Sequence, residues 1–218
     1  MSKNSKSLNA KYLAYLAAYP LITKSVTSGV FLGLNEIISS VVTGEFQKST
    51  ILGQKVHHVL SPKLVTMIIY GSLIATPLSH NLYKIINTIF KPPLSSGLKV
   101  LQILTLLSTV TPLLAATFTS WVSLLNGYKS KGGSVSEEIS RAFAVIKAGL
   151  KSNYRAILKS SLITSSVSLV IAQKFILPEL WVVFFNFVYF IVGTLQNIKL
   201  KKAQKLARAR AEKDKKDE

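Results

Sequence analysis

The chain has 218 residues, 49% of them hydrophobic, a mean hydropathy of +0.37, and 27 Lys and Arg against 9 Asp and Glu. Only 17% of the residues are charged, against roughly 25% in soluble domains, which sets aside an ordinary soluble globular class in favour of a multi-span membrane protein. The absence of cysteine excludes a disulfide framework and thiolate metal sites.

The N-terminal "MSKNSKSLNAKY" carries Lys3, Lys6 and Lys11 with no secretory-type cleavage site after it, and the C-terminal "KKDE" is no address tripeptide. Leu21 to Val42 would reach about 33 Å as a helix, enough to cross roughly 30 Å of hydrocarbon. A polar stretch, Thr43 to Lys63, precedes a second apolar run from Leu64 to Phe90, which "KPP" stops at Lys91 to Pro93. A third, Val100 to Leu125, contains no ionisable residue.

After Asn126 and Gly127 the chain becomes too polar to span. Ser134 and Glu137 have capping-box spacing, and Ile139, Phe143, Ile146 and Leu150 recur at helical intervals. The pattern predicts an amphipathic helix, lying in the membrane interface or packed on the bundle. Ile157 to Ala172 is short and serine-rich; Phe175 to Ile198 is longer and aromatic, with Lys174 and Pro178 between them. Two readings stay open here: four spans with a broken or tilted element, or five true spans. The architecture expected is an all-α integral membrane protein. It is a bundle of about four transmembrane helices, with an additional short or broken helix before the last span. Residues 1–198 would form a single transmembrane domain and residues 199–218 a basic, solvent-exposed tail. The Lys and Arg bias favours both termini on the cytosolic face.

Several helices carry polar stripes. In the first span Ser25, Gly29, Gly33, Glu36 and Ser40 fall within about 80° of one another at about 100° per residue. Gly29 and Gly33 form a small-xxx-small unit that lets another helix approach. A carboxylate in hydrocarbon must be protonated, paired or wet, so Glu36 either faces the bundle interior or snorkels to the interface. The second span has a small stripe, Gly71, Ala75 and Ser79, and a polar one, Thr76, His80 and Tyr83. Pro77 there, and Pro112 in the third span, are expected helix bends, since each removes a donor and pushes on the preceding turn. His80 is read as a hydrogen-bonded structural residue or as a cavity-lining one, not as a metal ligand. In the last span Glu179, Asn186, Gly193 and Asn197 share one side. Glu36, Thr76, His80, Tyr83, Glu179, Asn186 and Asn197 thus make a polar seam that either joins helices or surrounds water.

No nucleophile elbow, Walker A loop or zinc-binding His-Glu pair occurs, so no enzyme activity, cofactor or metal is expected. The tail from Lys199 suits anionic lipid headgroups; it has no aromatic residue to stack bases, which argues against nucleic acid.

"YLAYLAAYPLITKSVTSG" (12–29) and "YGSLIATPLSHNLY" (70–83) resemble the Mpv17/PMP22 family of small organellar membrane proteins, most closely its peroxisomal branch. The resemblance runs from about Tyr12 to Ile198. It implies about four spans, cytosolic termini, no catalysis, non-selective pores for small solutes, homo-oligomers, and delivery by the peroxisomal membrane import machinery. On it Glu36 takes the place of a first-span Asp, and Asn186 that of a last-span Asn. The departures are large. Ser166, Val167 and Ser168 stand where the family has Trp-Thr-Pro, and Leu106 and Leu107 replace its Asp-Gln pair. Two functions follow from the resemblance: a pore-forming channel for small solutes across the peroxisomal membrane, or a non-conducting scaffold or organising protein. The peroxisomal membrane is favoured over the mitochondrial inner membrane by the two motifs.

Overall fold

The computed structural model describes residues 3–51, 54–91, 93–175 and 181–214. Helix α1 (Lys3–Ala18) leads into α2 (Pro20–Thr43) across Tyr19. Pro20 opens α2, a position where its missing N–H has no helical partner to lose. A two-stranded antiparallel hairpin, β1 (Gln47–Ile51) and β2 (Gln54–His58), pairs Gln47 with His58 and Ile51 with Gln54. It occupies most of the polar stretch. Ser61 then caps α3 (Pro62–Ile69) by accepting a hydrogen bond from the Leu64 N–H at 3.1 Å.

Both mid-span prolines sit directly after a wide π turn. Tyr70–Ala75 precedes α4 (Thr76–Ile89), in whose first turn Pro77 lies. Ser96–Thr105, α5, runs through a second π turn, Leu106–Val110, into α6 (Thr111–Gly127), in whose first turn Pro112 lies. The cause is steric. A proline ring collides with the carbonyl four residues back, and widening that turn relieves the collision. In the second case the Thr111 hydroxyl also donates to the Leu106 carbonyl at 3.4 Å.

Residues 135–175 form one helix of 41 residues, α7 (Val135–Phe175). This corrects the expectation of a separate interfacial helix followed by a short or broken one. At about 1.5 Å per residue it is about 60 Å long, twice the hydrocarbon thickness. Its start uses the capping box. The Glu137 N–H donates to Ser134 Oγ at 3.3 Å, and Ser134 N–H donates back to Glu137 Oε2 at 2.9 Å. Glu138 ties down the loop before it, accepting from the Tyr128 hydroxyl at 2.6 Å, from the Lys131 and Gly133 N–H groups, and from Arg141. Gly149 does not break α7. A Cβ there would collide with the Ser123 side chain, so this glycine admits α6. The last helix, α8 (Trp181–Asp214), is also continuous and passes straight through the boundary expected at residue 198.

Among the described residues, three helical runs are long and apolar enough to cross a membrane: Pro20–Thr43, Ser96–Gly127 and Val135–Ala172. The chain is an all-α bundle with several long apolar helices, and the expected count of four spans is not reproduced as such. The run 62–89 is helical throughout, but His80 and Asn81 make its second half polar.

Two compact units divide the chain. One comprises Met1–Val26 and Ser72–Ile171, with an apolar cluster of Ile86, Phe90 and Val110 flanked by Leu82, Leu94, Leu106 and Leu114. In it α6 and α7 lie antiparallel: the Tyr154 hydroxyl donates to the Pro112 carbonyl, while Gly149 meets Ser123 and Gly127 meets Val145. The other comprises Thr27–Gly71 and Ala172–Glu218 and holds α3, α8 and most of α2.

Candidate functional site: a buried ion cluster between α2, α3 and α8

Helix α2 is the middle element of the second unit. On one side α3 returns antiparallel: Gly33 meets Ile68 and Leu64, and Gly71 meets Leu32 and Ser28. On the other side α8 runs parallel to α2. Phe31 packs on Phe190 with ring centroids 5.3 Å apart, Asn35 lies over Gly193, and the contacts then climb both helices together. The small residues make this approach possible, because a side chain at Gly71 or Gly193 would collide with the neighbouring helix.

The upper part of α2 buries five polar residues: Asn35, Glu36, Ser39, Ser40 and Thr43. Their spacing of one and three residues puts them on one face. The Asn197 amide donates to Asn35 Oδ1 (2.9 Å), Glu36 Oε2 (2.9 Å) and Ser39 Oγ (2.8 Å), so its two N–H bonds are shared among three acceptors. One turn on, Lys201 Nζ donates to Ser40 Oγ at 2.6 Å and pairs with Glu36 Oε1 at 2.6 Å, with Glu45 Oε2 3.7 Å away. Lys63, in the first turn of α3, reaches Glu36 Oε2 at 3.6 Å. Lys205 ends the ladder at the Thr43 carbonyl. Glu36, 2% exposed, therefore has both carboxylate oxygens occupied. Two carboxylates, Glu36 and Glu45, face Lys63 and Lys201, so the formal charges cancel. Burial holds Lys63 below the usual lysine range, and Lys201 adds to that while Glu36 and Glu45 oppose it.

The structure thus brings together Glu36 and Asn197 of the expected seam, with Gly33, Gly71 and Gly193 at close helix approaches and Gly29 buried on α2. Thr76, His80 and Tyr83 belong to the other unit: Thr76 is buried, His80 half-buried and Tyr83 46% exposed. Ala75 and Ser79 are half-buried there, and the Ser79 hydroxyl donates to the Thr76 carbonyl at 3.0 Å. Glu179 lies outside the described residues, as does the side chain of Asn186. Sequence reasoning missed Asn35, Ser39, Lys63 and, above all, Lys201, which was expected in a solvated tail and is 2% exposed. The signal was present: Asn197, Lys201 and Lys205 continue one i, i+4 line across residue 198.

The chain is an all-α bundle with several long apolar helices, consistent with a fold of the multi-span membrane type, and one of its two units holds this buried polar core. No group of three or more potential metal ligands is gathered among the described residues. The chain belongs to the family of the Woronin body membrane protein wscA of Aspergillus fumigatus, with which it is 32% identical over 193 residues, 88% of this chain and 76% of that protein. It is also 27% identical over 198 residues to the Woronin sorting complex protein of Neurospora crassa, covering 91% of this chain but 58% of that one, so it spans little more than half of that relative. No protein-family model matches the chain, and no solved structure does. The Mpv17/PMP22 resemblance accordingly holds at the level of a related superfamily.

Proposed function

We propose that the chain is a non-conducting scaffold or sorting protein of a peroxisome-related membrane, the Woronin body membrane in particular. One observation carries this reading. The polar residues of α2 and α8 that a pore would need along its wall are spent on one another: Glu36 on Lys201, Lys63 and Asn197, Ser39 on Asn197, and Ser40 on Lys201. A seam closed in this way joins helices and leaves the rest of the surface for partners. The names of the relatives, a membrane protein and a sorting-complex protein, point the same way. The reading includes several membrane crossings, self-association, and delivery by the peroxisomal membrane import machinery.

Reconstitution separates this role from conduction. Vesicles loaded with a small fluorescent solute should keep it when they carry the purified protein, and planar bilayers should stay silent. Repeated openings that vanish in an E36L/H80L double variant would instead establish the pore.

A further inference from the structure

Along α7 every fourth residue from Phe143 to Ile163 is exposed: Phe143, Lys147, Lys151, Arg155, Lys159 and Ile163. At about 100° per residue this line drifts slowly around the helix, so the four cations cover about 120° of its surface and about 18 Å of its axis. Gly149 is the point where α6 closes on α7. Lys147 and Lys151 stand about 200° from it in either direction, on the opposite side. Their charge is not neutralised locally. The sequence has no acidic residue between Glu138 and Glu179, and among the described residues none of the four pairs with a carboxylate. A bare line of this kind on a helix 41 residues long repels itself unless an anion covers it.

The continuation of the line decides which anion. Ile163, Val167 and Ile171 follow at the same spacing, and all are exposed. The sequence of surfaces is therefore apolar side chains and then cations, on a helix that is a candidate membrane span. We propose that this line binds the headgroups of anionic phospholipids, with acyl chains along Ile163 to Ile171 and phosphates against Lys159, Arg155 and the two lysines beyond. Clusters of four or more Lys and Arg beside a membrane helix attract anionic lipid. The Arg155 guanidinium presents a fork that matches a phosphate, and lysine side chains snorkel toward the headgroup plane. An acidic polypeptide would satisfy the charges but would leave the apolar half of the line uncovered. The proposal does not depend on the scaffold reading; it applies equally to a conducting protein.

The test compares lipids retained by the purified full chain after exposure to detergent micelles holding phosphatidylcholine and phosphatidylserine in equal amounts, quantified by mass spectrometry. Wild type should retain phosphatidylserine at least about fivefold over phosphatidylcholine in low salt and lose the preference in high salt. The K147Q/K151Q/R155Q/K159Q variant should lose most of the preference, while K84Q/K91Q/K99Q, at exposed lysines away from this line, should keep it. The pairs K147Q/K151Q and R155Q/K159Q, each measured with its melting temperature, should each lose part of it if the quadruple variant does not fold. Absence of a preference in wild type, or its survival in both pairs, overturns the proposal. So does a poly-glutamate peptide that binds wild type and not the variants while the lipids show no selectivity.

Discussion

Lys201 and Glu36 stand at opposite ends of the chain, yet Nζ of one lies 2.6 Å from Oε1 of the other, with both side chains almost wholly buried. The pair is the centre of the α2–α8 contact and its geometry requires the two helices to be parallel and in one register. Burying two charges costs desolvation that their attraction only partly repays, so such a pair serves specificity better than it serves stability.

Removing one partner is therefore expected to be worse than removing both. K201M leaves Glu36 buried beside a weaker cation and should destabilise the protein by about 3–5 kcal/mol, whereas E36L/K201L should recover most of that loss. A double-mutant cycle by graded unfolding in detergent measures it. A loss in E36L/K201L equal to the sum of the losses in E36L and K201L would show that the two groups do not act as a pair.

Two glycines make a controlled contrast. A Cβ at Gly71 would lie 2.8 Å from Leu32 Cδ1 and 3.1 Å from the Ser28 carbonyl, while nothing lies within 4 Å of one at Gly97. G71V should cost about 1–3 kcal/mol through forced separation of α2 and α3. G97A, in the first turn of α5, should be neutral or stabilising by up to about 1 kcal/mol. Melting temperatures of both variants in one detergent decide the comparison.

The orientation is testable on sealed organelles. The hairpin side carries Lys48, Lys55 and Lys63, and the chain from Lys199 adds nine more Lys and Arg, against Lys3, Lys6 and Lys11 at the N-terminus. The basic face should be cytosolic. A C-terminal tag should then be digested by added protease without detergent. Protection of that tag until detergent is present would overturn this.

Lys63 gives a pH dependence with a defined sign. Its folded-state affinity for a proton is lowered, chiefly by burial, so the charged form is disfavoured on folding. The cost is fully present below its folded-state pKa. It is relieved as pH rises from there toward the unfolded value of 10.5, because the unfolded chain then holds a proton the folded one does not. Stability should therefore rise in that alkaline window, and K63M should flatten the rise. Unfolding midpoints across pH for the two proteins supply the check.

The π turns predict that Pro77 and Pro112 are tolerated rather than required. P77A and P112A restore a backbone donor and a better helix former, so each should change stability by less than about 1 kcal/mol. Hydrogen exchange of the preceding turn, Tyr70–Ala75 or Leu106–Val110, should slow as it tightens to α-helical bonding. Unchanged exchange there would mean that the wide turn has another cause.

What the sequence by itself determined is what short-range chemistry governs. Apolar runs long enough to span placed α2 and the Ser96–Gly127 element to within a few residues. Capping spacing at Ser134 and Glu137 placed the start of α7, and the cost of an unpaired carboxylate in hydrocarbon marked Glu36 as a residue that needs company. What it left undecided depends on partners far along the chain. Whether residues 135–175 are two helices or one is undecidable from composition, because serines bond to their own helix and Gly149 is a break only when no neighbour fills the space it leaves. The direction in which α8 lies against α2 is equally invisible locally. Lys201 looks like any solvated lysine until α8 packs parallel to α2 and brings it one turn beyond Asn197 onto Glu36. Tertiary structure made that decision, since a buried charge is tolerable only where the opposite charge has already been placed.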